Sequence, residues 1–366
     1  MGGSSVLNYM VYTRGNRRDY DQWAALGNPG WDFQNVSHYF RKMENNIAEN
    51  ITPNYHGKGG PLTVSNTKFK SSTAKAFVEA GIEKGMPDID YNGPTQIGVS
   101  YLQSTVNNGT RQSTNVAYLH PIHNRKNLHV KKYSHVTKLL IDENKTVYGV
   151  EFYSHGQKFR VNASKEVILS AGAINTPQIL MLSGIGPTKH LTQLGIETVF
   201  NSAILESYTQ YMDGPLSSTG AVEAIAFYDT ENPDDPDGYP DLELLHLGGG
   251  INGNDVFKRN FGIRDDLYKQ MFGSIDKNQN TFMVLPMVLR PKSRGRLRLR
   301  SKNPFDHPII NPNYFSDYQD MVTSIRGIRK MIDLLDTKAF RKINAKLLKM
   351  PFFGCQQYKF NTDDYW

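Results

Sequence analysis

Gly2-Gly3-Ser4-Ser5, followed by Asn8, opens the sequence with residue types that could do chemistry. Two glycines let a backbone approach an anion closely, and serine hydroxyls with successive N–H groups donate to it. A tight turn with no ligand has the same composition, so both readings stand at this point. A second stretch, 165–186, reads as strand, small-residue turn and helix. Glu166-Val167-Ile168-Leu169-Ser170 is a short apolar run suited to a strand buried on both faces. Ala171-Gly172-Ala173 then makes a tight turn, Thr176 offers an N-cap, Pro177 fits the first helical position and Gly184 closes the end. Such units put ligands beyond the carboxyl end of the strand, at 171–176 here, although many serve packing alone.

Other patterns carry blander readings. Gly248-Gly249-Gly250-Ile251-Asn252-Gly253 matches G-x-G-x-x-G, but no helical pattern opens after it, so it reads as a decoy. Arg290, Lys292, Arg294, Arg296, Arg298 and Arg300 alternate with other residues. They could meet a polyanion, but no aromatic interleaves them, and the wet face of an edge strand explains them. His120 and His123 flank Pro121 without an acidic partner and read as a surface loop rather than a metal pair. The acidic, proline-broken stretch 229–241 lacks the spacing of a calcium loop and reads as a solvated loop.

These features need elements to position them. Phe33, Val36, Phe40 and Met43 recur at helical spacing over 32–46. A second helix spans 72–84, with Ser71 or Ser72 as cap and Gly85 as stop, and a third spans 320–335. The stretches 128–136, 138–142 and 147–153 read as strands, the last two joined by Glu143-Asn144-Lys145. The run 285–300 reads as strand material. With 366 residues, roughly two domains are expected. Eleven per cent aromatics and a net charge of +7 exclude a disordered chain. Cys355 is the single cysteine, which excludes an internal disulfide framework or a thiolate zinc cluster. No apolar run is long enough to span a membrane, and the first residues lack the layout of a signal peptide. Localisation stays open, a secreted parent included. Asn35, Asn50, Asn108, Asn144 and Asn162 open N-x-Ser/Thr sequons, about as many as chance gives, and decide nothing.

Two segments together are specific. GGSSVLNYMVYTRGNRRDYDQWAALGNPGW at 2–31 and SAGAINTPQILMLSGIGP at 170–187 resemble the signature regions of the glucose–methanol–choline (GMC) oxidoreductases, in their insect glucose-dehydrogenase-like branch. GTRQSTNVAYLHP at 109–121, RPKSRGRLRLRS at 290–301 and NPNYFSDYQDM at 311–321 support this in family order. The resemblance implies an α/β plus α+β chain: a partial Rossmann-like FAD-binding region over 1–205 and, over 206–366, a substrate region built on a mostly antiparallel sheet covered by helices. It implies oxidation of an alcohol or sugar CH–OH to a carbonyl, with hydride passing to flavin N5 and electrons then to a quinone, a dye or oxygen. It places Gly2, Gly3, Ser4 and Asn8 along the pyrophosphate and flavin, and Tyr9, Met10 and Val11 past the ring. Val136 would meet the adenine, and Ala171 and Gly172 the adenosine half. Choline-oxidase relatives bond flavin covalently through a histidine at the position of Leu7. Leucine has no such chemistry, so FAD is expected to bind non-covalently.

The sequence also departs from the family. It starts after the first βαβ unit, it runs from Asn201–Ser207 directly into Tyr208–Gly220 where the family has an N-L-x-D-H stretch, and it stops at Trp366 ahead of the catalytic histidine box. The expectation is an inactive fragment with no catalytic residue of its own. The alternative is a non-catalytic remnant that binds a sugar or a protein, while nucleic acid is not an expected partner. The 366 residues by themselves should give no alcohol-dependent dye reduction. Flavin absorbance together with such reduction in the purified chain would contradict this.

Overall fold

Every residue of the strand Leu242–Leu247 is buried, as its nearly unbroken apolar run requires. The computed structural model describes residues 1–201, 222–235, 238–250, 252, 258–259, 261–273, 275–276, 279–349, 352 and 354–366. They divide into two units, one of Met1–Asn124, Leu216–Arg290 and Met321–Trp366, the other of Arg125–Pro215 and Pro291–Asp320.

In the first unit, Leu242–Leu247 pairs antiparallel with Met283–Val288 and with Val222–Tyr228, and Gly98–Tyr101 completes the four-stranded sheet. Alternation along the strands splits the core in two. Ala224, Ala226, Leu242 and Leu244 pack against Phe77, Val78 and Ala80 of the helix Ser72–Glu83. Ile225, Phe227, Leu245 and Leu247 pack against Tyr91 and Leu102. The Ser71 hydroxyl caps that helix by accepting from Ala74 N–H at 3.1 Å, and Gly85, at φ 87°, lets the chain turn away at its end. Helix Phe33–Met43 leads into Glu44–Asn46, which runs parallel to Leu62–Asn66; Gln103–Ser104 pairs antiparallel on the other side.

The second unit holds an antiparallel meander, Ser134–Ile141, Val147–Ser154 and Gln157–Asn162. Helix Gly172–Leu182 packs on its first strand, with Leu139 N–H donating to Ser183 Oγ at 2.8 Å. Met181, Leu191, Leu297 and Leu299 form the core beside it.

Several sequence expectations need correction. The residues 166–170 form no strand, and Ile168 is 79% exposed, because no neighbouring strand pairs with them among the described residues. The turn expected at Ala171–Ala173 is already the first turn of a helix that begins at Gly172, so Pro177 lies inside it. Thr176 is not an N-cap; its hydroxyl accepts from Ala171 N–H at 3.0 Å. The strands expected at 128–136 and 138–142 are one strand, Ser134–Ile141, whose partner ends opposite Ser134 at Ser154. The run 285–300 splits into Met283–Val288 and Arg296–Arg298. Helix Arg17–Ala25 went unread, although Asn16 and Asp19 form a capping box at its start. The acidic stretch is exposed over 231–234, as a solvated loop is, but it is pinned on either side. Asp229 and Asp241 are buried, Asp241 accepts from both Thr230 N–H and its hydroxyl, and Arg18 pairs with Asp235 at 2.8 Å. The departure at Asn201–Ser207 and Tyr208–Gly220 falls, after Asn201, outside the described residues.

Glu243 sits in the central strand opposite Phe227 and Met287, without a hydrogen bond to its carboxyl among the described residues. Burial pushes its pKa up to about 8 from 4.5. A carboxyl raised in the folded state keeps a proton that the unfolded chain releases. It therefore subtracts stability as pH climbs from 4.5 to about 8. Glu243→Gln should flatten that part of the stability profile and gain stability at pH 8 in urea unfolding. An unchanged slope would show that the carboxyl does not titrate in this way.

Candidate cofactor site

The N-terminal residues form an exposed loop built on one short turn, Gly3–Val6. Gly2 and Gly3 take φ of 122° and 56°, conformations that favour glycine, and a Cβ on Gly2 would come within 2.7 Å of Val6 Cγ1. A Cβ on Gly3 would meet nothing within 4 Å, so this backbone is open to approach. Gly3, Ser4 and Asn8 are exposed, and Leu7 is 82% exposed. The loop is nonetheless tied down. Ser5 Oγ donates to Gly2 O and accepts from Thr114 N–H at 2.9 Å, while Thr114 Oγ1 donates to Gly2 O at 3.0 Å. The Arg111 guanidinium reaches Ser5 O at 3.2 Å, Asn8 O, and Asn8 Oδ1 at 2.8 Å. Asn8 Oδ1 also accepts from Met10 N–H at 3.1 Å, with Met10 at a φ of 65°.

Past Met10 the backbone enters a buried polar network. Tyr12 donates to Gln103 O at 2.9 Å and accepts from Tyr91 Oη at 3.1 Å and Asn92 Nδ2 at 3.0 Å. Arg14 N–H donates to Asn92 Oδ1 at 2.7 Å, and Arg14 O accepts from Gln96 Nε2 at 3.1 Å. The Arg14 guanidinium donates to Tyr55 O and to Glu44 Oε2, each at 2.7 Å. His56 lies between two carboxylates, Nδ1 at 3.0 Å from Glu44 Oε1 and Nε2 at 2.8 Å from Asp90 Oδ2. All three side chains are at most 3% exposed. A neutral imidazole has one N–H, so only the imidazolium can donate to both carboxylates, while the Asn46 amide nitrogen also lies 2.8 Å from Nδ1. Burial alone would lower the His56 pKa, but the bonds to Asp90 and Glu44 outweigh it and raise the pKa above 6.5. Burial would raise Glu44, but its bond to His56, the charge of Arg14 and the Gly57 N–H bring it below 4.5. Asp90 follows the same pattern, held down by His56 and the Thr52 N–H. Arg14 and His56 thus balance Glu44 and Asp90, as burial of charge requires.

The structure brings Gly2, Gly3, Ser4, Asn8, Tyr9, Met10 and Val11 together in the first unit. Val136, Ala171 and Gly172 lie in the second. Val136 sits in the first meander strand opposite Phe152, beside an irregularity in the register. Ala171 and Gly172 are exposed at the start of the helix that packs on that strand, Gly172 at a φ of 89°. Arg111 and Thr114, which anchor the loop, were missed from the sequence, although GTRQST was on view at 109–114, and Ser5, read as a donor to an anion, instead bonds Gly2 and Thr114.

Gly248–Gly250 form no helix, while 251 and 253–257 lie outside the described residues. Arg296 and Arg298 are exposed and Leu297 buried, the alternation of a half-wet strand. Arg290 instead stacks on Tyr239 at 3.8 Å and pairs with Asp19 at 2.5 Å. His123 Nδ1 lies 2.7 Å from His120 O in an exposed turn. No group of three or more metal-binding side chains occurs among the described residues, and none of their helices is long and apolar enough to cross a membrane.

Known proteins bear on this geometry. The GMC oxidoreductase family models match residues 1–203 and 291–366. The chain is 35% identical over 398 residues to glucose dehydrogenase [FAD, quinone] of Drosophila pseudoobscura pseudoobscura, covering 100% of this chain and 62% of that protein. It is 34% identical to ecdysone oxidase of Bombyx mori (95% and 57% covered) and 36% identical to mitochondrial choline dehydrogenase of Homo sapiens (96% and 60%). The chain thus spans about three fifths of the length of these relatives. Among solved structures, pyridoxine 4-oxidase from Mesorbium loti superimposes with a TM-score of 0.76 at 23% identity, over 92% of this chain and 65% of that one. Formate oxidase gives 0.74 at 23% identity, over 93% and 67%, so the fold is shared with both. The chain belongs to the GMC oxidoreductase family.

Proposed function

We propose that this protein is an FAD-dependent oxidoreductase acting on the CH–OH group of an alcohol or sugar. The observation that carries the reading is the match of both family models, in order, to a chain whose N-terminal Gly-Ser loop is exposed yet firmly anchored. The loop fits a pyrophosphate. The Gly3 and Ser4 N–H groups stand at the start of a turn, the Ser4 hydroxyl is exposed beside them, and the open side of Gly3 admits a bulky anion. Asn8, Tyr9, Met10 and Val11 continue as the flavin side of the bed. Bound FAD would supply the hydride acceptor. Leu7 offers no nucleophile, so the cofactor is held by contacts alone.

This chain's own residues bind and orient. The sheet face of Ile225, Phe227, Leu245 and Leu247 gives the first unit a dry, rigid apolar layer. We give none of the histidines discussed above the part of general base. His246 is fully buried, lies between the Phe77 and Phe282 rings, and is pushed down to about 4 by burial. His56 is already committed to two carboxylates. The glucose dehydrogenase relative is named for FAD and a quinone, and a quinone, a dye or oxygen is proposed as the electron acceptor here.

Flavin fluorescence titration tests the reading. The chain should bind FAD saturably, and Arg111→Ala, which frees the loop from Ser5 and Asn8, should weaken binding about tenfold, the loss of roughly 1.4 kcal/mol. Absence of saturable binding by the folded chain, or an Arg111→Ala affinity equal to the parent's, would overturn it.

A further inference from the structure

Resting on the reading of Gly2–Val11 as the flavin bed, we propose that His56 is a positioning residue whose ring proton locks the adjoining segment Met10–Asn16, so that the bed is seated while the proton is bound and loosens when it is lost. The residues that link His56 to the bed form a closed chain of hydrogen-bond donors and acceptors. The Asn46 amide has two hydrogens, and its nitrogen lies 3.0 Å from Glu44 Oε1 and 3.4 Å from Gln103 Oε1. It also lies 2.8 Å from His56 Nδ1. With Nδ1 protonated, the ring donates to Glu44 and both Asn46 hydrogens serve Glu44 and Gln103. With Nδ1 bare, one Asn46 hydrogen turns to the ring nitrogen and either Glu44 or Gln103 loses it.

Gln103 is the relay. Its Oε1 also accepts from Asn92 Nδ2 at 3.0 Å, and its Nε2 donates to Asp90 Oδ1 at 2.8 Å. Asn92 in turn holds Tyr12 O and Arg14 N–H, and the Gln103 carbonyl holds Tyr12 N–H. A proton lost at His56 is therefore felt, within three side chains, by the segment that leaves the flavin bed. Charge drives the same change. Glu44 faces His56 from the strand Glu44–Asn46, Asp90 from the segment after Ser72–Glu83, and Arg14 from the segment Met10–Asn16. Lys58, in the His56 loop, is engaged with Asn46 O, and Tyr12 and Tyr91 are held above their usual range by burial, hence neutral. Deprotonation leaves this buried set with one uncompensated negative charge. Because the His56 pKa is raised on folding, its contribution is fully present below 6.5 and is lost as pH rises through the folded value. The lowered pKa values of Glu44 and Asp90 bring the opposite loss at acid pH, below 4.5 and 3.8.

Amide hydrogen exchange without FAD, corrected for the intrinsic rate and run from pH 6 to pH 9, reads the lock directly. In the parent chain, protection at Tyr12 and Arg14 should fall about tenfold further than at Leu244 and Leu245 of the central sheet. His56→Gln should show weaker protection at pH 6 and no extra fall at higher pH. If Tyr12 and Arg14 track the sheet amides throughout, or if His56→Gln keeps the parental response, the proposal is wrong. The parent series decides alone should His56→Gln not fold. An FAD titration at the two pH limits separates this proposal from the reading it rests on. A local exchange response without FAD binding supports the lock and removes the flavin reading. Equal FAD affinity at both limits with no exchange response removes the lock and leaves the reading standing.

Discussion

Charge neutrality inside the first unit is the constraint on which the rest depends. Arg14, Glu44, His56 and Asp90 are all buried, and none can be there alone, since an isolated ion taken out of water costs several kcal/mol. Together they make a neutral cluster whose remaining donors and acceptors are spent on backbone. That spending fixes Tyr12 and Arg14, and they fix where the N-terminal loop leaves the protein interior. The loop itself has little packing to rely on, with Gly3, Ser4 and Leu7 exposed. It stays in place because Arg111 and Thr114 hold one side and the buried cluster holds its exit.

The same logic separates the two jobs of the first unit. The sheet of Leu242–Leu247 and its neighbours is stabilised by apolar burial, which is non-directional and tolerates the misfit of Glu243 and His246. A loop proposed to present N–H groups to an anion needs them in a fixed array, and apolar packing specifies no such array. Hydrogen bonds from buried side chains do, at the cost of requiring every partner at once. Family membership joins this geometry to flavin chemistry, and the anchoring of the loop explains how an exposed glycine pair keeps a definite shape.

What was legible in the sequence was local. Ser71 and Gly85 mark the ends of a helix because caps act within one turn. The Gly-Ser loop and the family signatures were legible for the same reason, as were the meander turn at Lys145 and the helix Tyr318–Leu335. The strand expected at 166–170 failed because an apolar run needs a partner, and pairing is not written in the run itself. The helix at Gly172 began early because Gly172 and Ala173 fit a first turn as well as a bend. The pinning of the acidic stretch was not legible since Arg18 and Tyr239, which engage Asp235 and Asp19, are distant from those partners in sequence. The charge-balanced cluster was wholly invisible. Its members, at 14, 44, 46, 56, 90, 92 and 103, are ordinary residues until the fold gathers them.

A structure of the chain with FAD would test the account at its centre. The account predicts pyrophosphate oxygens within hydrogen-bond reach of the Gly3 and Ser4 N–H groups, with Arg111 still bonded to Asn8 beneath them. A cofactor bound elsewhere, with that loop unchanged and facing solvent, would contradict it.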